Sequence, residues 1–273
     1  MKKKVLVIAK TEPSPSKTHG ASVCTAGITE EGEFIRLYPI PFRTFCDKNT
    51  RFDRYDWIEV ECEKARDDSR KESYKVKGDV KVVGHINTDF NWAERNSIIL
   101  PLKSKNFSDL ESEGSSLGLI RPSEVLDFFR TNAAEAPLGD IAKEHRKTMQ
   151  MMFEQGRDSV HMRPIPVIGD IEVYYRYKFK CKGEETSHEM MCEDWELYES
   201  ARSWPDIYGT DDVVWEKIYE KFFRIFTNER DLHFFVGTHF RWGTWVIIGT
   251  YYPPITGPPN TRQTQLFNMS LML

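Results

Sequence analysis

The chain has 273 residues, 40% hydrophobic and 29% charged, with a net charge of -4. Length and balance suit one large or two small globular domains with a real core, and exclude a protein that coats nucleic acid by charge alone. Five irregularly spaced cysteines exclude a secreted disulfide framework, and the apolar run near the N-terminus is too short for a signal segment or a membrane span, so a cytoplasmic protein without membrane attachment is expected.

The aromatic fraction, 13%, favours pleated, half-buried surfaces. Val5-Leu6-Val7-Ile8-Ala9 is typical of a buried strand. Thr11 to Gly20, with Pro13 and Pro15, reads as an exposed loop; its Lys17, Thr18, His19 and Gly20 lack the glycine spacing of a phosphate loop. Ser22 to Ile28 and Phe34 to Tyr38 form a hairpin about Glu30-Glu31-Gly32-Glu33. From Tyr55 to Glu63, Ile58, Val60 and Cys62 alternate with Trp57, Glu59 and Glu61, a half-buried strand. Lys64 to Lys77 reads as a charged loop or weak helix, and Asp79 to Ile86 as a further strand. Five strands in about ninety residues predict a small barrel or sandwich.

Residues 103–117 are polar and read as a linker, with a short helix over 139–155. A second β-pattern begins at Ile171, where Val173, Tyr175, Tyr177 and Phe179 share one face. Helical periodicity covers 189–201 and 211–227, the latter with Asp211 or Asp212 at its start, and strands His233 to Thr238 and Thr244 to Thr250 follow. The expected architecture is mainly β with a few helices (α+β): an N-terminal β-barrel over 1–102, a linker with short helices over 103–166, and a C-terminal β domain with a helical insert over 167–273.

Val5-Leu6-Val7-Ile8-Ala9-Lys10, Cys24-Thr25-Ala26-Gly27-Ile28 and Glu33-Phe34-Ile35-Arg36-Leu37 are similar to the opening of the dual OB-containing domain family of prokaryotes. Ser116 to Pro122, and Phe235-Val236-Gly237-Thr238 leading into Trp245 to Gly249, extend the resemblance over most of the chain. It implies two small OB-like barrels in tandem, association with conflict (defence) systems and contact with nucleic acid. It also implies a Cys…Cys…His element ahead of Asp194-Trp195-Glu196; here Cys181 and His188 stand without the middle cysteine, with Glu184 and Glu185 in its neighbourhood.

Four sets of residues carry candidate chemistry. Arg36, Tyr38, Phe42 and Arg43 interleave guanidinium groups and rings, as single-strand binding requires, and Lys10, Arg51 and Arg54 extend that patch. Arg241 and Trp242, beside His239, offer a second such pair in a turn. Cys181, His188 and Cys192 are zinc-ligand types, with His233 or His239 as a fourth. His188, Asp194 and Glu196, together with Glu189, make an alternative hydrolytic set for Mg²⁺. No complete catalytic motif is present. The expectation is therefore a nucleic-acid-binding accessory protein, acting beside a partner nuclease or ATPase, rather than an enzyme. A metal-dependent nuclease and a non-enzymatic adaptor or nucleotide sensor are the alternatives.

Overall fold

The computed structural model describes residues 1–11, 14–16, 20–41, 51–132, 173–239 and 243–255. Strands β1 (Lys2–Lys10), β2 (Ser14–Ser16), β3 (Gly20–Thr29), β4 (Phe34–Pro41), β5 (Asp56–Lys64) and β6 (Ser73–His85) build the first unit. β1 pairs antiparallel with both β3 and β5, β3 with β4, and β5 with β6. The parallel β4–β6 pair closes the circle β1-β3-β4-β6-β5, so all five strands of the barrel find neighbours on both sides. β6 starts at Ser73, inside the segment read as loop or weak helix, because its register with β5 runs on to Lys64↔Tyr74.

The second unit uses β7 (Lys103–Ser104), β8 (Leu117–Ile120), β9 (Glu124–Asn132), β10 (Val173–Lys180), β11 (His188–Met191), β12 (His233–Thr238) and β13 (Trp245–Tyr251). β8 and β9 are two halves of one bent strand, interrupted at Arg121-Pro122-Ser123, where proline cannot donate to a ladder. β8 pairs with β12 and β9 with β10, so the bend carries the chain from one sheet to the other. β10 pairs with β11, and β12 with β13. The parallel bridge Cys192↔Ile247, with the Glu193 N–H donating to the Ile247 carbonyl at 2.7 Å, joins the third strand to the fifth. In both units, strands three and five thus run parallel. β8 and β9 fall inside the segment read as linker and short helices, because a four-residue strand beside a proline carries little periodicity.

Helices fill the connections. α1 (Asp89–Ile99) and α2 (Phe107–Ser112) join the units. α3 (Trp195–Ser203), α4 (Pro205–Tyr208) and α5 (Asp211–Tyr219) lie between strands three and four of the second barrel, and a π-helical turn, Glu220–Ile225, continues α5 into α6 (Phe226–Asn228). α3 starts later than its periodicity predicts because His188–Met191 pair as a strand; Thr210 is the N-cap of α5, and Asp211 and Asp212 occupy its first turn. The helix expected over 139–155 lies outside the described residues.

Three apolar cores follow from strand alternation. Val5 and Val7 point into the first barrel with Ile35, Leu37, Ile58 and Val60. Tyr175, Tyr177 and Phe179 fill the second, plugged by Leu197, Ile218 and Phe222 of the helical insert. The Tyr177 hydroxyl, fully buried, donates to the Phe222 carbonyl at 2.6 Å within the π turn. Leu6 and Ile8, on the other face of β1, meet Leu117, Leu119, Phe235 and Ile248 in a core shared by the two barrels. The unbroken apolar run of β1 is thereby explained: both of its faces are buried. Gly249 permits this approach, since a Cβ there would lie 2.9 Å from the Ala9 Cβ.

Candidate nucleic-acid face and metal-capable cluster

The outward face of strands two and three is the usual ligand surface of an OB-like barrel. In the first barrel that face is β3–β4, and the second barrel covers most of it. Ala26, Ile28 and Phe34 join the shared core. Arg36 is 4% exposed; its Nη1 donates to Ser116 Oγ at 2.9 Å and its Nη2 to the Ser116 carbonyl at 2.9 Å. Glu72 accepts from the Ser116 N–H and hydroxyl at 2.9 and 2.6 Å. Arg36 points outward from its barrel as strand parity predicts, but outward here means toward a second barrel. It is an internal tie and has no surface to offer a phosphate. Tyr38, 43% exposed and in register with Lys75, is the sequence-predicted ring that faces solvent. Phe42, Arg43, Arg241 and Trp242 lie outside the described residues. Lys10 donates to the Phe52 carbonyl over the Phe52 ring. The lysines of the first barrel are interlaced with acids: Lys2–Glu59 at 2.6 Å, Lys4–Glu30 at 2.9 Å, Lys75–Asp67 at 2.9 Å and Lys77–Glu63 at 3.0 Å.

The corresponding face of the second barrel is more open. Arg176, on the outward parity of β10, sits between Phe129 of β9 and Met191 of β11 in register, and Lys178 between Asp127 and Glu189. Phe129 and Arg176 are partly exposed and Lys178 is exposed. Arg176 Nε lies 3.2 Å from Glu189 Oε1. Phe129 belongs to none of the three cores, so its ring, a guanidinium and an ammonium share one surface. Sequence reading passed over them because Arg176 stands in a run of core tyrosines and Phe129 beside the core residue Phe128.

A buried polar seam joins the barrels. Asp194 caps α3 by accepting the Glu196 N–H at 2.9 Å, and its other oxygen accepts the Thr250 N–H and hydroxyl at 2.7 and 2.8 Å. Arg54 Nη1 reaches Asp194 at 3.6 Å and Glu196 at 3.1 Å. Burial pushes the Asp194 carboxyl up, opposed by the Arg54 charge and the Thr250 hydrogen bonds. Arg54 is thus sealed in this seam rather than extending a surface patch. Glu193, at the same seam, is pushed up to about 7 by burial.

The hydrolytic set is not assembled around one point, because Asp194 and Glu196 are engaged by Arg54 while His188 pairs with Glu184. Among the described residues, the ligand atoms of Cys181, Glu184 and His188 come together, all within 4.8 Å of one another. Burial and the neighbouring Glu184 carboxylate push the Cys181 thiol up to about 12, so these side chains alone do not make a nucleophilic thiolate. Cys192 is fully buried one element away, its N–H donating to the Tyr175 carbonyl at 2.8 Å, and Glu184 takes the place expected for it. His233 is also fully buried, its Nδ1–H donating to the Asp231 carbonyl at 2.8 Å.

No helix among the described residues is long and apolar enough to cross a membrane. A family model described as Domain of unknown function (DUF8758) matches residues 1–101, and one described as Domain of unknown function (DUF8757) matches residues 103–270. Their junction falls between the two barrels. No curated protein matches the chain. The DUF8757 model covers more than half of the sequence, and the chain belongs to that family.

Proposed function

We propose that the protein is a nucleic-acid-binding module, single-stranded forms included, that contacts its ligand through the outer β9–β10–β11 face of the second barrel. The observation that supports this is the partial burial of the equivalent face of the first barrel, where Arg36 is sealed against Ser116, while Phe129, Arg176 and Lys178 remain accessible on the second. A ring stacks on a base of any identity, and the two cations meet phosphate. Asp127 and Glu189 share these rows, so charge makes a modest contribution and affinity falls gently with salt. The resemblance to the dual OB-containing domain family supports an accessory role in a defence or DNA-processing system, beside a partner nuclease or ATPase.

Gel retardation of a labelled single-stranded oligonucleotide at low ionic strength tests this reading. Retardation by the wild-type chain, and its loss in the double substitution Phe129→Ala with Arg176→Glu, is expected. No retardation at any protein concentration rejects it.

A further inference from the structure

We propose that Cys181, Glu184 and His188 bind a Zn²⁺ ion at the tip of the β10–β11 hairpin, with water as the fourth ligand. One sulfur, one carboxylate oxygen and one imidazole nitrogen converge within 4.8 Å. Ligands around a tetrahedral zinc ion lie about 3.5 Å apart, so small side-chain rotations close the triangle.

The hairpin itself sets this geometry. Phe179 and His188 are register partners, which fixes His188 across from the end of β10, two residues before Cys181. Gly183, at φ 83°, reverses the chain, and the Glu184 N–H donates to the Cys181 carbonyl at 3.3 Å, turning Glu184 back over the thiol. Glu184 already contacts His188 Nε2. The Phe107 and Phe179 rings, 4.8 and 5.5 Å from the imidazole, wall one side with apolar surface. The Glu184 and His188 side chains are 16% and 23% exposed, which leaves a path for an ion and its water.

Donor chemistry selects the ion. Mg²⁺ and Ca²⁺ take oxygen ligands, whereas a thiolate beside an imidazole suits zinc. Three protein donors with one open position is also a recurrent zinc arrangement. Coordination replaces the thiol proton with the metal, and the displaced proton passes to solvent. The bound ion clips the loop closed, so it raises the stability of the folded chain.

Full-length protein, stripped with a chelator and titrated with Co²⁺, tests the proposal. One equivalent is expected to give a thiolate-to-cobalt charge-transfer band and the visible bands of a four-coordinate site, and Zn²⁺ is expected to abolish both. Cys181→Ser removes the charge-transfer band. Glu184→Gln, close in size and partly exposed, lowers Zn²⁺ affinity at least about tenfold while keeping the wild-type circular dichroism. Absence of the charge-transfer band in folded wild-type protein with excess Co²⁺ overturns the proposal, as does its persistence in Cys181→Ser or an unchanged affinity in Glu184→Gln. None of these outcomes depends on oligonucleotide binding.

Discussion

Arg54 of the first barrel and Asp194 of the second lie 3.6 Å apart across the seam between the barrels, with side chains 8% and 2% exposed. The same aspartate caps α3 and accepts two hydrogen bonds from Thr250, so one carboxylate fixes a helix, a strand and the partner barrel. Removing Asp194 leaves the buried Arg54 guanidinium with the half-buried Glu196 as its remaining carboxylate, and leaves the Thr250 N–H and hydroxyl without their acceptor. Asp194→Ala is expected to cost about 3–5 kcal/mol in urea unfolding. Arg54→Met combined with Asp194→Ala is expected to cost less than the sum of the two single changes.

Arg36 and Arg176 make opposite predictions. Arg36→Met removes charged hydrogen bonds to Ser116 and Ser73 and should cost about 2–3 kcal/mol, with no change in oligonucleotide affinity of the folded protein. Arg176→Glu, which breaks the partly exposed pair with Glu189, should cost at most about 1 kcal/mol and weaken oligonucleotide binding severalfold. Thermal melts paired with affinity titrations of each variant read both quantities.

Glu193 supplies a pH dependence. Its carboxyl is raised from 4.5 to about 7 in the folded chain, so the unfolded chain ionises first as pH rises. Glu193 therefore favours the folded state below its unfolded pKa, and that contribution is lost progressively from about pH 4.5 to about pH 7. Glu193→Gln should flatten this part of the stability curve, measured as melting temperature against pH.

Gly249 tests the shared core. A Cβ at this position meets Ala9 at 2.9 Å, and Gly249→Val should wedge β13 away from β1 at a cost of about 1–3 kcal/mol. Ala9→Gly in the same chain should recover part of that loss. Chemical denaturation of the single and double variants provides the comparison.

Much of the local structure is legible along the chain. The β5 alternation buries Ile58, Val60 and Cys62 as it reads, and Tyr175, Tyr177 and Phe179 form one core face. What escapes sequence reading is long-range. β8 and β9 look like part of a linker because Pro122 divides a strand whose partners lie far away in sequence. Arg36 lies on the predicted outward parity, yet periodicity reports only that a side chain leaves its own barrel, not what waits there. The cysteine and histidine of the metal-capable cluster are evident as residue types. Glu184 joins them only once the turn at Gly183 folds it back.

Hydrogen exchange, followed with and without a single-stranded oligonucleotide at low salt, tests most directly where the ligand sits. New protection is expected over 127–132, 173–178 and 189–191, the strands that carry Phe129, Arg176 and Lys178. Protection confined to the first barrel, or no change anywhere under conditions of saturating oligonucleotide, contradicts the account.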